Sequence, residues 1–336
     1  MFVGAVHEAL PVLDALLHTA DADVVAVVTT TEQGGASLSG AVDVSTPAEQ
    51  AGVPVVRTDD INDPGIVAQI CALEPDLLVV CGWTRLLREP VLAAPRRGCV
   101  GFHASLLPLH RGRAPVNWSI LLGEKQTGNT MMLLNRGTDT GNIVDQERVE
   151  IGPDDTCATV YDKVAHAGAK MLIRHLPGLL SGTAPMTLQD PSAGDMMPKR
   201  TPAMGVLDWD RSAQEVHDWV RALTAPYPGA FTSARGQRMW VWATRDPRDE
   251  SVTEAPGTVL SMGDEGVRVA TAGGSILVTQ VSGENEAPQP SATWCRDHGY
   301  GQGSRFDAVP TAVSAWARGL GPKPLAPAGS GGAEPS

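Results

Sequence analysis

Two residues of the sequence could together carry acid–base chemistry. His103 follows the apolar run "CVGF" and precedes a Ser-Leu-Leu-Pro turn and a basic, glycine-containing loop. Asp139 lies in the tight turn "GTDTG", between two strand-like segments. A carboxylate beside an imidazole can hold the ring in one tautomer and stabilise its cation. We therefore expect a catalytic pair, although a strand-end histidine and an Asx turn with structural roles alone would give the same pattern.

The segments that must position His103 alternate between strand and helix patterns. Short apolar runs such as "DVVAVVTT", "PDLLVVC" and "GCVGF" are separated by helix-like segments such as "PGIVAQICALE". This rhythm predicts an α/β protein with a mostly parallel, doubly wound sheet. Such sheets bind ligands at the carboxyl ends of their strands, and His103 stands at one of these ends.

The second half of the sequence predicts a smaller, separate domain. Residues 186–204 are rich in turn formers and have no regular period, which is typical of a linker. A helical segment and several short strands with glycine turns follow over residues 205–317, and they predict a small, OB-like β-barrel. The expected organisation is thus a catalytic domain over residues 1–185, the linker, the barrel and a disordered tail over residues 318–336.

Composition argues against several classes of partner. The 336 residues carry a formal net charge of −12, which disfavours partners bound through their phosphates. Neither tRNA nor DNA is therefore an expected partner. No apolar run has the length of a membrane span, and no signal peptide is recognisable. Because Met1 lies almost inside the first strand pattern, we expect a few residues upstream of it.

The cysteines favour a reducing compartment. Five cysteines are scattered along the chain and form no CxxC pair. This spacing predicts neither a disulfide framework nor a metal site. We therefore expect a cytoplasmic protein that binds no metal.

The motifs around the two central residues resemble those of the folate-dependent formyltransferase family. They are "HASLLPLHRGRAPVNWSILLGEKQTGNT" and "GTDTGNIVDQ", and the resemblance extends from Phe2 to about Phe306. The family transfers a formyl group from 10-formyltetrahydrofolate to an amine. The resemblance implies a Rossmann-like formyltransferase domain followed by the barrel-like domain, with 10-formyltetrahydrofolate as the formyl donor and no metal.

The resemblance also implies roles for individual positions. His103 and Asp139 match the catalytic histidine and aspartate of the family, whereas Gly101 stands where the family has a catalytic asparagine. Residues 81–87 match the segment that lines the pterin slot. The residues expected to border the folate donor are Ser105, Leu106, Leu107, Pro108, Leu86 and Thr138, with the slot lined largely by backbone groups.

The chemistry of the family explains these residue types. An uncharged amine attacks the formyl carbon, which creates an oxyanion and an ammonium group. His103 can donate to the oxyanion and move a proton, and Asp139 can orient the ring or take the ammonium proton. Loss of one oxyanion donor costs roughly 10²–10³ in rate. Since glycine leaves room at position 101, we expect the missing amide to be replaced by a water, a backbone N–H, Asn117, Asn135 or Thr138.

Three residues after His103 are weaker candidates for substrate binding. Arg111 and Arg113 could contact an anionic substrate group or the folate tail, or they could be solvated charges. Asn117 lies in the helix-like segment that follows.

The main functional prediction is formyl transfer to the primary amine of a small metabolite, such as an amino sugar nucleotide or a natural-product precursor. Methionyl-tRNA formyltransferase is the alternative. The tRNA-acting members of the family use a basic insertion after the second strand, whereas residues 30–46 contain no Lys or Arg. A formate-releasing hydrolase and, because of Gly101, a non-catalytic folate-binding or scaffold protein are further alternatives.

Overall fold

The computed structural model describes residues 1–190 and 192–324. The chain divides into two compact units. The first comprises Met1–Lys199 and Arg221–Pro228, and the second comprises Arg200–Val220 and the chain from Gly229 onward. Residues 325–336 of the expected tail, which begins at residue 318, lie outside the described residues.

The first unit contains nine strands and seven helices among the described residues. Its strands are β1 (Phe2–Val3), β2 (Val27–Thr29), β3 (Val55–Arg57), β4 (Leu78–Val80), β5 (Cys99–His103), β6 (Arg111–Gly112), β7 (Gln126–Leu133), β8 (Ile143–Glu150) and β9 (Met196–Met197). Its helices are α1 (Ala9–His18), α2 (Glu32–Ala36), α3 (Ser45–Gln50), α4 (Pro64–Ala72), α5 (Glu89–Leu92), α6 (Pro115–Leu121) and α7 (Cys157–Ser181).

Seven of these strands form one sheet in the order β3-β2-β1-β4-β5-β7-β8. β1 to β5 run parallel, and β7 pairs antiparallel with both β5 and β8. Every residue of β2 and β4 is buried, as expected for parallel strands covered on both faces. Alternate strand residues supply two cores, because successive side chains point to opposite faces: Phe2 and Val79 belong to one, Val3 and Leu78 to the other.

The path of the chain after β7 positions Asp139. Leu133, at the end of β7, pairs with Val100 near the start of β5, whereas Thr130 pairs with His103 at its end. Residues 134–142 must therefore fold back along β5 before β8 begins. This return brings the Asp139 turn to the carboxyl end of β5.

The second unit is built around an antiparallel sheet in the order β10-β11-β14-β13-β12, with β15 paired to β14. These strands are β10 (Ala230–Ala234), β11 (Gln237–Asp249), β12 (Val259–Gly263), β13 (Gly266–Thr271), β14 (Gly274–Ser282) and β15 (Gln289–Pro290). The helices after residue 200 are a 3₁₀ turn (Pro202–Gly205), α8 (Ala213–Leu223), α9 (Ser291–Asp297) and α10 (Thr311–Ala317).

These sheets confirm the predicted fold class, a mostly parallel α/β sheet followed by a smaller antiparallel β unit. Residues 186–204 contain β9, which pairs parallel with β6 in a two-stranded sheet of its own. None of the described helices is both long and apolar enough to cross a membrane.

Candidate active site

The structure brings His103 and Asp139 together at the carboxyl end of β5. Nδ1 of His103 lies 3.6 Å from Oδ1 of Asp139, and only 8% and 19% of the two side chains are exposed. Asp139 has a left-handed backbone with φ of 53°, a conformation that Asp tolerates better than most residues. Its second oxygen, Oδ2, accepts a hydrogen bond of 2.8 Å from the N–H of Gly112. The hydrogen bond to Oδ2 therefore fixes the carboxylate with Oδ1 facing the ring of His103.

The other ring nitrogen of His103 has a main-chain partner. Nε2 lies 2.7 Å from the carbonyl oxygen of His110. Because a carbonyl can only accept, Nε2 carries a proton in this arrangement. Nδ1 is thus the nitrogen that faces Asp139, and the carboxylate stabilises a proton there.

Two of the residues expected to border the folate donor are buried parts of the loop itself. The hydroxyl of Ser105 donates to the carbonyl of Leu109 at 2.6 Å, and Leu107 is 3% exposed. Their side chains shape the loop, and the expectation that these two residues border the folate donor stays a prediction. The other four are more open: Leu86 is 61% exposed, and the partly exposed ones are Leu106, Pro108 and Thr138.

The structure separates the three weaker substrate candidates. Arg111 is buried, and its guanidinium donates to the carbonyls of Ala193 and Asp190 and to the side chain of Gln189. Arg113 is exposed and has no hydrogen-bond or ion-pair partner among the described residues. Arg113 therefore keeps its charge available, whereas Arg111 serves the loop.

Asn117 is also committed to the interior. It is 1% exposed, and its amide nitrogen donates to the carbonyl of Ala222 at 2.6 Å. Its amide oxygen accepts from the hydroxyl of Tyr161 at 3.3 Å. Asn117 is thus engaged inside the protein, and the expectation that it contacts a substrate or supplies a donor stays a prediction.

Gly101 does not leave open space, contrary to expectation. A Cβ atom at this position would lie 2.5 Å from Cδ2 and 2.9 Å from Cγ of Leu134, so that leucine fills the site. Asn135 is engaged in its own turn, where its oxygen accepts from Gly137 and Thr140. Leu134 therefore occupies the space that the glycine was expected to leave.

Sequence reasoning identified the segment after β4, residues 81–87, but not the loop after β1, which lies against it. The amides of Ala5 and Val6 both donate to the carbonyl of Gly82, so the two loops are joined. The indole nitrogen of Trp83 is buried without a hydrogen-bond partner among the described residues, and the ring of His7 lies beside the backbone of Gly40. Buried polar groups normally have partners, so the indole N–H of Trp83 is a donor that remains available.

Sequence reasoning also missed His110. The only signal was a second histidine in "LHRG", seven residues after His103. Its ring lies 2.7 Å from Glu124, and its main chain bonds both to Asp195 and, as described above, to His103.

Comparison with known protein families shows to which family the chain belongs. The family described as formyl transferase matches residues 2–176, and the formyl transferase C-terminal domain matches residues 199–299. This chain belongs to the formyltransferase family. The resemblance in its motifs is thereby confirmed, and the protein is a folate-dependent N-formyltransferase.

Relatives of known function match this formyltransferase over most of its length. The methionyl-tRNA formyltransferase of Desulforamulus reducens is 34% identical over 84% of this chain and 89% of its own. That of Acetivibrio thermocellus is 33% identical over 90% of this chain and 97% of its own. These relatives contradict the expectation that tRNA is not a partner. Net charge was a poor guide because a nucleic acid is bound by the local surface, not by the average over the chain.

Solved structures show the same fold at low sequence identity. The N-formyltransferase from Helicobacter canadensis, in complex with folinic acid and dTDP-3-aminofucose, matches with a TM-score of 0.60 and 17% identity. The match covers 82% of this chain and 97% of that chain. Likeness at this identity extends to the fold alone.

Proposed function

We propose that this formyltransferase transfers the formyl group of 10-formyltetrahydrofolate to the α-amino group of methionyl-tRNA. One observation carries the proposal: methionyl-tRNA formyltransferases match the chain at 33–34% identity over 84–90% of its length. The sequence-based preference for a small amine is thus reversed. The five cysteines are all free thiols, which supports a reducing compartment such as the cytoplasm.

His103 and Asp139 are the proposed catalytic residues. The acceptor nitrogen bonds to the formyl carbon and loses a proton, which Nδ1 of His103 can take beside Asp139 at 3.6 Å and return to the folate nitrogen as its bond to the formyl carbon breaks. The N–H of Gly112 holds the far oxygen of the same carboxylate, so the pair keeps its orientation. Because both side chains are largely shielded from water, their interaction is stronger than it would be at the surface.

The loops after β1 and β4 fit a folate donor, which supplies the formyl group. Strand β4 is next to β5, so the loop that contains Trp83 follows the strand beside that of His103. The buried, unpartnered indole N–H of Trp83 can donate to a polar edge of the pterin. Leu86, which is 61% exposed, offers apolar surface to the flat ring in the same loop.

A small primary amine is the second candidate acceptor. It is favoured by residues 30–46, which contain no Lys or Arg although they follow β2 at the carboxyl edge of the sheet. An amine of modest size that carries a phosphate would need few cations, and Arg113 offers one. The two acceptors therefore have to be compared on the same enzyme.

The test is incubation of the full chain with 10-formyltetrahydrofolate and either methionyl-tRNA or a panel of amino sugar nucleotides and other small amines. Mass spectrometry then identifies which acceptor gains a formyl group. We expect formylated methionyl-tRNA at a rate far above that of the His103→Asn variant. Formylation of small amines alone would overturn the main proposal in favour of the second. Release of formate without transfer would identify a hydrolase, and donor binding without turnover would identify a scaffold.

A further inference from the structure

A short segment braces the loop that follows His103. We call residues 189–190 and 192–197 the brace. Its strand β9 pairs with β6, and the N–H of Arg111 donates to the carbonyl of Asp195 at 3.1 Å. Gly194 has φ of +79°, and a Cβ there would lie 1.9 Å from the carbonyl oxygen of Pro108. The close approach of the two chains therefore requires glycine at this position.

Gln189 joins the brace to the turn that carries Asp139. Its side-chain nitrogen donates to the carbonyls of Asp139 and Gly141 at 2.9 and 2.7 Å. Its side-chain oxygen accepts from Arg111 at 3.1 Å. One amide thus connects the aspartate turn with the loop after the histidine.

His110 is the residue through which the brace reaches His103. Its backbone N–H donates to Oδ1 of Asp195 at 2.7 Å, and its carbonyl accepts from Nε2 of His103 at 2.7 Å. Its ring places Nε2 2.7 Å from Oε1 of Glu124 and Nδ1 3.5 Å from Oδ2 of Asp195. The backbone is left-handed, with φ of 54°, and the residue is 7% exposed.

The two carboxylates favour a protonated ring. Hydrogen bonding to Glu124, together with the nearby charge of Asp195, raises the pKa of His110 in spite of its burial. A protonated imidazole can donate from Nε2 to Glu124, and its charge attracts Asp195, whose Oδ2 lies 3.5 Å from Nδ1. Two other ionisable groups are close to His110. The guanidinium of Arg111 donates to carbonyl oxygens of the brace, and the ring of His103 contacts the backbone carbonyl of His110.

We propose that His110 is a positioning residue for formyl transfer. Its ring, clamped between Glu124 at 2.7 Å and Asp195 at 3.5 Å, fixes the carbonyl that holds His103 opposite Asp139. The inference rests on formyl transfer at the His103–Asp139 pair and is independent of which amine is the acceptor. It makes the brace part of the catalytic machinery, although no brace residue touches the reacting atoms.

The clamp makes turnover sensitive to alkaline pH. The charged ring is present below the pKa of His110 and is lost as the pH rises through that raised value. Loss of the charge removes the attraction to Asp195 and loosens the carbonyl that orients His103. Because this carbonyl contacts His103, we expect kcat to fall while KM changes little.

The experiment compares the wild type with Glu124→Gln and Asp195→Asn. Each variant removes one carboxylate from His110 and should lower its pKa, so the alkaline fall in kcat should move to lower pH. At the same pH, kcat should drop about tenfold with KM nearly unchanged, since small misplacements of a catalytic group are costly. The ring titrations of His103 and His110 are followed by NMR in the full chain without an acceptor. His110→Gln assigns the signal.

The matched control is Asp14→Asn, which removes a carboxylate from an exposed His18 contact of 3.3 Å. It should leave the kcat profile unchanged. An unshifted His110 titration in both variants would overturn the proposal, and so would a shifted titration with a wild-type kcat profile. If Asp195→Asn does not fold, Glu124→Gln alone decides, because its side chain is partly exposed and off the brace. The NMR titration is measured without an acceptor, so it does not change if the enzyme formylates a different amine. Failure of the proposed function can therefore be distinguished from failure of this inference.

Discussion

The side chain of Leu134 lies against Gly101, on the same strand as His103. Gly101 and His103 are two residues apart in β5 and share one face of the sheet. The chain after β7 folds back along that face, so that Leu134 covers the glycine and Asp139 reaches the histidine. An apolar contact thus occupies the position where the resemblance implies an amide, and His103 and Asp139 remain as the proposed catalytic pair.

Gly101→Asn should impair the enzyme. The new side chain would begin 2.5 Å from Cδ2 of Leu134, so the leucine has to move. Overpacking of this kind costs about 1–3 kcal/mol in free energy of unfolding. We expect lower thermal stability and lower turnover, measured by denaturation and by formyl transfer at saturating donor. A rise in turnover would show that the amide is missed.

The double variant Gly101→Asn/Leu134→Ala is the matched comparison. If Leu134 is the obstacle, removal of its branch should make room for the asparagine. Stability and turnover of the double variant should then be higher than the sum of the two single effects predicts. Leu134→Ala alone is measured to complete this comparison. Strictly additive losses would contradict the contact as the cause.

Asp139→Asn should separate charge from turn geometry. Asparagine tolerates the left-handed backbone, and its oxygen can still accept from Gly112, so stability should be nearly unchanged. Loss of the negative charge beside His103 should lower kcat about 10²–10⁴-fold. The control is Asp145→Asn on β8, which removes a carboxylate that lies 2.8 Å from His175 of α7. This variant should keep the wild-type rate. A wild-type rate in Asp139→Asn would leave Asp139 only a role in the turn.

Arg113→Gln should weaken acceptor binding. The exposed guanidinium follows Gly112, whose N–H bonds Asp139, so it stands beside the pair with its charge uncommitted. If the guanidinium contacts a phosphate of the acceptor, KM should be higher in the variant than in the wild type. The slope of log KM against log salt concentration should decrease by about the amount expected for one lost phosphate contact. Arg97→Gln, just before the amino end of β5, is the control. An unchanged KM and salt slope would remove Arg113 from the acceptor site.

Glu8→Gln should change how stability depends on pH. Burial raises the pKa of Glu8 from 4.5 to about 7. Between these values the folded state binds more protons than the unfolded state, so stability falls as the pH rises. The buried charge costs about 3 kcal/mol at most, at about 1.4 kcal/mol per pKa unit. Denaturant unfolding at about pH 5 and about pH 8 should show the variant gaining stability relative to wild type at the higher pH.

Exposed Glu32 provides the control for this measurement. Glu32→Gln should leave the pH dependence as it is in the wild type. Equal pH slopes in Glu8→Gln and wild type would mean that the Glu8 carboxyl is not desolvated.

Local sequence patterns determined the architecture and the two central residues. Strands covered on both faces must be apolar, so the β-α-β rhythm predicted the parallel sheet and its carboxyl edge. The runs that flank His103 and Asp139 indicated a strand end and a turn apex, and both residues are found there. The motifs around them were enough to recognise the family.

Only the tertiary structure decided what the neighbouring side chains do. Asn117 donates to a carbonyl 105 residues away, and Arg111 to one 82 residues away, so neither commitment is visible in a local pattern. The clamp on His110 likewise joins residues that are far apart in sequence, through Asp195. Hydrogen bonds and close packing depend on which chain segments meet in space, and periodicity and composition do not record that.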